Sequence, residues 1–217
     1  MTRGSPEIEK RRFEPSNILF IGNSFTARNN LPGLIAQLAA DHGNQLRHKL
    51  ISAGGASLRR HWSAGAALTA IQSGEFDTVV LQEQSTLPQK NPMRMHESVR
   101  LFDRAIKEAG ASTILYLTWA RLNAPESQAA ISEAYNSIGQ ELGATVVPVG
   151  MVWQGFLRQY DRPVLYDRDQ SHPTLAGSYL AACVFSATLF RGRQVRATTA
   201  VAGLSEEDRL LLEKFCG

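Results

Sequence analysis

Short apolar runs alternate along the chain with longer stretches in which apolar residues recur at helical spacing. The first run, Ile18-Leu19-Phe20-Ile21, predicts a strand over Asn17–Ile21. Leu34–Asp41 carries the helical period, with Gly43 placed as its C-cap. The same alternation predicts a strand at Leu46–Ser52, a helix over Trp62–Gln72 ending at Gly74, and a strand at Thr78–Gln82. A polar loop, Glu83–Pro92, leads to a helix over Met93–Ala109, closed by Gly110. A strand at Thr113–Thr118, a helix from Glu126 to Leu142, a strand at Thr145–Pro148 and a short helix at Val152–Tyr160 follow. Pro173–Phe190 reads as a long helix with Pro173 in its first turn. Glu206–Phe215 reads as a final amphipathic helix with Ser205 as its N-cap.

The strands are apolar without alternation, as strands covered on both faces are. Repeated strand–loop–helix units of this size imply an α/β protein. Its architecture is a three-layer α/β/α sandwich around a five-stranded parallel sheet with right-handed crossovers. In such a sheet the loops that follow the strands share one edge, and ligands bind there. Residues far apart in sequence therefore converge on one cleft.

Composition narrows the partners. The 217 residues suit one domain over 17–217, preceded by a charged, loose arm at 1–16 that holds Pro6, Pro15 and the run Lys10-Arg11-Arg12. Hydrophobic residues make up 43% and charged residues 20%, enough for a sizeable core. The net charge of +3 comes from scattered arginines without interleaved aromatics, so no nucleic-acid partner is expected. No apolar run is long enough to span a membrane, and no membrane partner is expected. The segment before Asn17 lacks the apolar stretch of a signal peptide, so the expected location is the cytoplasm. Of the two cysteines, Cys183 lies in an apolar helical run and reads as a buried hydrophobe, and Cys216 reads as exposed. Neither a disulfide framework nor a metal site is expected.

The polar residues sort by strand end. Asn23 and Ser24 follow the first strand, and Gly54 and Gly55 follow the second. Gln82, Glu83, Gln84 and Ser85 end the third, and Trp119, Arg121 and Asn123 follow the fourth. Asp169-Gln170-Ser171-His172 comes after the fifth strand and its helix. A serine hydroxyl attacks only when a base takes its proton, and the base needs an acceptor to fix its tautomer. Of five histidines, His42, His48 and His96 lie on or beside regular elements and read as structural or exposed. His61 follows the Gly-Gly loop and is a candidate cleft residue. His172 sits in a polar loop with Asp169 three residues before it, close enough on one tight turn to hold the imidazole. The oxyanion of an acyl-transfer intermediate needs N–H donors. Candidates are the backbone amides of Ser24 and of Gly54 or Gly55, and the side-chain amide of Gln82.

Gly22-Asn23-Ser24-Phe25-Thr26 resembles the first block of the SGNH (GDSL-type) hydrolases, with Asn in place of the usual Asp. Gly54 or Gly55 resembles the second-block glycine, and Asp169-Gln170-Ser171-His172 matches the last block, Asp-x-x-His. The third block departs. Leu81-Gln82-Glu83-Gln84-Ser85 stands where the family usually has Gly-x-Asn-Asp, and it is closer to the Gln-Gly-Glu-Ser form of carbohydrate acetylesterase branches. By position Gln82 takes the oxyanion role, with Gln84 as the alternative. The resemblance implies a flavodoxin-like fold and ester hydrolysis without metal or cofactor. Ser24 is then the nucleophile, His172 the base and Asp169 its orienting partner. The Glu83–Pro92 loop, Asn23, Gln84, Trp119, Arg121 and Asn123 are expected to line the cleft, and the expected substrate is a short-acyl ester of a small molecule or carbohydrate. Two other readings stay open on this fold. One is a catalytically silent binding protein. The other is a nucleotide- or flavin-binding module, although the chain lacks Gly-x-Gly-x-x-Gly and the Walker pattern.

Overall fold

The computed structural model describes residues 16–190 and 196–216. Five parallel strands lie in the order β2-β1-β3-β4-β5. They are β1 Asn17–Gly22, β2 Arg47–Ser52, β3 Thr78–Leu81, β4 Ser112–Tyr116 and β5 Thr145–Val147. This is the flavodoxin-like order, and the strand sequence reverses direction between β1 and β3, where such sheets bind their ligands.

The centre of the sheet is apolar because both faces are covered. On β1, Ile18 and Phe20 point to one core and Leu19 and Ile21 to the other, all fully buried. The first core takes α2 (Leu31–Asp41), α8 (Val149–Gln159), α9 (Leu175–Leu189) and α10 (Glu206–Cys216). The second takes α3 (Leu58–Ala64), α4 (Ala66–Gln72), α6 (Pro92–Glu108) and α7 (Gln128–Leu142). Helix α9 is buried without a break from Ala176 to Ser186, because α2, α8 and α10 all pack against it. Two short helices, α1 (Ser24–Ala27) and α5 (Leu87–Lys90), belong to the loops at the carboxyl edge.

The expected architecture holds, and the differences are local. The helix expected over Trp62–Gln72 starts earlier, at Leu58, because Ser57 caps it by accepting from the Arg60 N–H. It breaks into α3 and α4 at Gly65, whose φ of 78° no helix interior contains. The Glu83–Pro92 loop holds α5, and the helix expected from Val152 begins at Val149. Pro173 is not in the first turn of α9. It pairs with Tyr166 in an isolated antiparallel bridge, and Thr174 caps the helix by accepting from the Gly177 N–H. Cys183 is fully buried as expected, but Cys216 is half-buried against α9 rather than exposed. Residues 1–15 of the expected arm, with its basic run, lie outside the described residues. Ser16 is tied down, since its N–H and hydroxyl both donate to Asp77.

Gly150 marks the tightest approach of a helix to the carboxyl edge. Its N–H donates to the Leu117 carbonyl at 2.9 Å, and a Cβ there would fall 2.1 Å from the Thr118 carbonyl oxygen. Gly150→Ala is expected to lower the unfolding free energy by about 2 kcal/mol in urea denaturation, because backbone must move to admit the methyl. Gly54→Ala, where a Cβ meets nothing within 4 Å, is expected to change it by less than about 0.5 kcal/mol.

Candidate active site

The turn after β1 is held from three directions. Gly22 passes so close to Gln82 and Thr26 that a Cβ would lie 2.6 Å from an oxygen of each. Asn23 caps α1 by accepting from the Phe25 N–H with Oδ1, and its Nδ2 donates to the Ala56 carbonyl at 3.1 Å. One side chain thus fastens the serine turn to the turn carrying Gly54 and Gly55. The His61 ring, buried behind the turn, donates from Nε2 to the Gly22 carbonyl at 2.7 Å. It braces the turn rather than lining a cleft, and burial holds its pKa below the usual value.

Ser24 is the first residue of α1, where backbone N–H groups have no helical partner. Its Oγ lies 2.8 Å from His172 Nε2. His172 Nδ1 hydrogen-bonds Asp169 Oδ2, while Asp169 Oδ1 accepts from the backbone N–H groups of Ser171 and His172 at 3.0 and 2.9 Å. These donors, the His172 ring first, hold the Asp169 carboxyl far below the ordinary range. Asp169 therefore stays ionised and fixes the imidazole with its Nε2 facing the serine. It does not cap α9, whose cap is Thr174.

The His172 loop is itself clamped to the serine segment. Arg28 pairs with Asp167 at 2.5 Å. Asn29, in the left-handed region at φ 54°, points its Nδ2 at the carbonyls of Pro173 and Thr174 and the hydroxyl of Ser178. Beneath the loop, Phe25, Trp119 and Trp153 form a stack, with ring centroids 4.9 and 3.9 Å apart in turn. The His172 ring meets Phe25 edge-on at 5.4 Å. Trp119 also donates from Nε1 to the Ser171 carbonyl.

Several expected site residues are placed otherwise. Gln82 is fully buried, and its amide is engaged inside the protein. Oε1 accepts from the Asn23 N–H and the Thr26 hydroxyl, both at 2.9 Å, and Nε2 donates to the Glu83 carbonyl. It shapes the serine turn and does not face the cleft. Trp119 is 2% exposed and lies in the aromatic stack, so it offers no face to a ligand. Arg121 and Asn123 are exposed in a loop that joins the His172 loop through the Leu122 N–H and the Gln170 carbonyl. Gly54 and Gly55 are exposed with open space above them, and Gly55 has φ 62°. Gln84 is half-buried. Its Oε1 accepts from the N–H and hydroxyl of Thr86 and the N–H of Leu87, which leaves its amide N–H pair without a partner among the described residues.

The sequence reading missed Arg28, Asn29 and the bracing role of Glu83. The run Arg28-Asn29-Asn30 does carry a signal, since two Asn before Leu-Pro suit left-handed turn positions. Among the described residues no group of three or more His, Cys, Asp and Glu side chains is arranged to hold a metal.

Asn23 cannot be exchanged for the Asp usual at this position without loss. Asn23→Asp would set a carboxylate oxygen against the Ala56 carbonyl in a buried place. It is expected to cost about 2 kcal/mol of stability by urea denaturation, in line with a buried carbonyl left unpaired.

No family model and no curated protein sequence matches the chain. Solved structures do. A provisionally described SGNH hydrolase from Slackia heliotrinireducens superposes with a TM-score of 0.70, at 28% identity, over 80% of this chain and 98% of that one. A DUF4886 family protein from Bacteroides uniformis matches over 93% of both chains, with a TM-score of 0.75 and 18% identity. An acetylxylan esterase from Geobacillus stearothermophilus matches over 85% of this chain and 97% of that one, with a TM-score of 0.65 and 16% identity. The sheet order agrees with these likenesses, and by its fold the chain falls in the SGNH (GDSL-type) hydrolase superfamily.

Proposed function

We propose that the protein is a serine esterase acting through an acyl-enzyme on Ser24. The observation that carries this is the unbroken series Ser24 Oγ, His172 Nε2, His172 Nδ1, Asp169 Oδ2 at the open carboxyl edge of the sheet. Ser24 attacks the ester carbonyl as His172 takes its proton. Collapse of the tetrahedral intermediate expels the alcohol, which receives the proton from His172. Water, activated by the same imidazole, then releases the acid. Asp169 holds the imidazole in the tautomer that the first step requires.

The oxyanion needs donors that are fixed and otherwise unengaged. The Ser24 N–H and an N–H of the Gly54–Gly55 turn meet that requirement. For the side-chain donor we assign Gln84 rather than Gln82. The Gln82 amide is engaged within the serine turn, whereas Gln84 is anchored through its oxygen and keeps its N–H pair available. The substrate we assign is a short-acyl ester, with an O-acetylated carbohydrate as the candidate class. The support is the shared fold with an acetylxylan esterase.

Hydrolysis of p-nitrophenyl acetate tests the reading. Ser24→Ala and His172→Ala are expected to lower kcat by about 10⁴-fold or more, and Gln84→Ala by about 10²-fold. Gln82→Ala is expected to act mainly on stability. Equal rates for wild type and Ser24→Ala would overturn the esterase and favour a silent binding protein. A series of p-nitrophenyl esters of increasing acyl length, set beside acetylated xylo-oligosaccharides, tests the substrate. Preference for long acyl chains would overturn the short-acyl assignment.

A further inference from the structure

Between Gln82 and Gln84 the chain buries a carboxyl group that the reaction above does not use. Glu83 is fully buried at the end of β3. Its Oε1 accepts two backbone N–H groups, from Leu58 at 3.0 Å and from Gln84 at 2.6 Å. Leu58 opens α3, two residues beyond the Ala56 carbonyl that Asn23 grips. Gln84 is the residue whose amide N–H pair has no partner among the described residues. One oxygen atom therefore ties the Gly54–Gly55 turn to the Gln84 turn. The Glu83 N–H is held in turn by the Tyr135 hydroxyl at 3.1 Å, which anchors the junction to α7. The second carboxyl oxygen, Oε2, is buried and has no hydrogen-bond partner.

We propose that Glu83 is a positioning residue whose neutral carboxyl sets the spacing of the oxyanion hole, by holding the Gly54–Leu58 turn and the Gln84 turn on a single oxygen. The inference rests on the esterase reading for its catalytic consequence and on the hydrogen bonds alone for its structural one. An ionised carboxyl here would leave a charged oxygen buried without a partner, which costs far more than a neutral one. With Oε1 occupied by two donors, the proton resides on Oε2. Burial raises the pKa of Glu83 to about 7, against the pull of its two N–H donors and of Arg94 on α6. The titratable and charged groups that face it are Arg94 and Tyr135, and burial pushes the Tyr135 phenol above its ordinary value, so it stays neutral alongside. The neutral carboxyl prevails below that pH and is lost as pH rises through it. Ionisation strengthens the two bonds at Oε1 but leaves a charged Oε2 buried without a donor. A carboxylate that turns to find one draws Oε1 off its two N–H groups, so oxyanion spacing loosens in the same direction.

Two measurements test this. In ¹⁵N–¹H spectra of the full chain, the Leu58 and Gln84 amides are expected to titrate together with one midpoint near neutral pH, and to stop titrating in Glu83→Gln. Separate midpoints, persistence in Glu83→Gln, or no titration between about pH 5 and pH 9 would overturn the coupling. In kinetics on p-nitrophenyl acetate, Glu83→Ala is expected to lose about 100-fold in kcat with KM changed less than about threefold. Glu83→Gln keeps the acceptor oxygen, so it is expected to recover kcat to within about tenfold of wild type and to abolish the fall in kcat/KM above neutral pH. If Glu83→Gln is as slow as Glu83→Ala, or keeps the alkaline fall, the positioning role is wrong. If Glu83→Ala does not fold, the Glu83→Gln profile and the two amides decide alone. If wild type hydrolyses no ester while the amides still titrate together, the esterase reading falls and the coupling stands.

Discussion

The arrangement at the carboxyl edge depends on the absence of a side chain at Gly22. Because nothing projects there, the Gln82 amide oxygen can take the Asn23 N–H and the Thr26 hydroxyl together, and β1 can turn directly into α1. The turn then leaves the Asn23 side chain free to reach the Ala56 carbonyl and places Ser24 at the start of a helix. A methyl at Gly22 would collide with both oxygens. The serine turn, the Gly54–Gly55 turn and the third-block turn form one hydrogen-bonded body. Glu83 and Asn23 are its cross-links, and His61 is its backing.

The third block divides its work between two glutamines of the same chemistry. Gln82, one residue past the strand, faces inward and has both its oxygen and its nitrogen bonded within the protein. Gln84, two residues on, is fixed through its oxygen by the first turn of α5 and presents its nitrogen. Glu83 between them couples to the first residue of α3. A run of three polar residues at a strand end thus has each side chain fixed in a different direction. Burial without partners would make any one of them costly.

The architecture was legible because it depends on repetition. Unbroken apolar strands, glycine-closed helices and their alternation point to one sheet between two helix layers. That Ser24, Asp169 and His172 would meet was legible because the proposed acyl transfer restricts the residue types, and parallel strands restrict where their loops emerge. Gln82 and Trp119 were misplaced for a common reason. Both stand at strand ends, and sequence does not record whether such a side chain turns toward solvent or back under the sheet. Trp119 turns back because Phe25 and Trp153 offer it flat faces on either side. The split at Gly65 and the start of α9 after its cap Thr174 rest on single φ values and capping bonds, which a periodic pattern does not carry.

The serine and the histidine stand 148 residues apart, joined by the Arg28–Asp167 pair and the three bonds of Asn29. The nucleophile turn is made early in synthesis and the imidazole late. An emerging chain carries Ser24 through four of its five strands with no base beside it. The clamp joins the serine segment to residues 167–178, so the two halves of the proposed site meet only once that late segment is in place. A chain that stops short of residue 172 holds the serine turn without the imidazole that faces it in the complete fold.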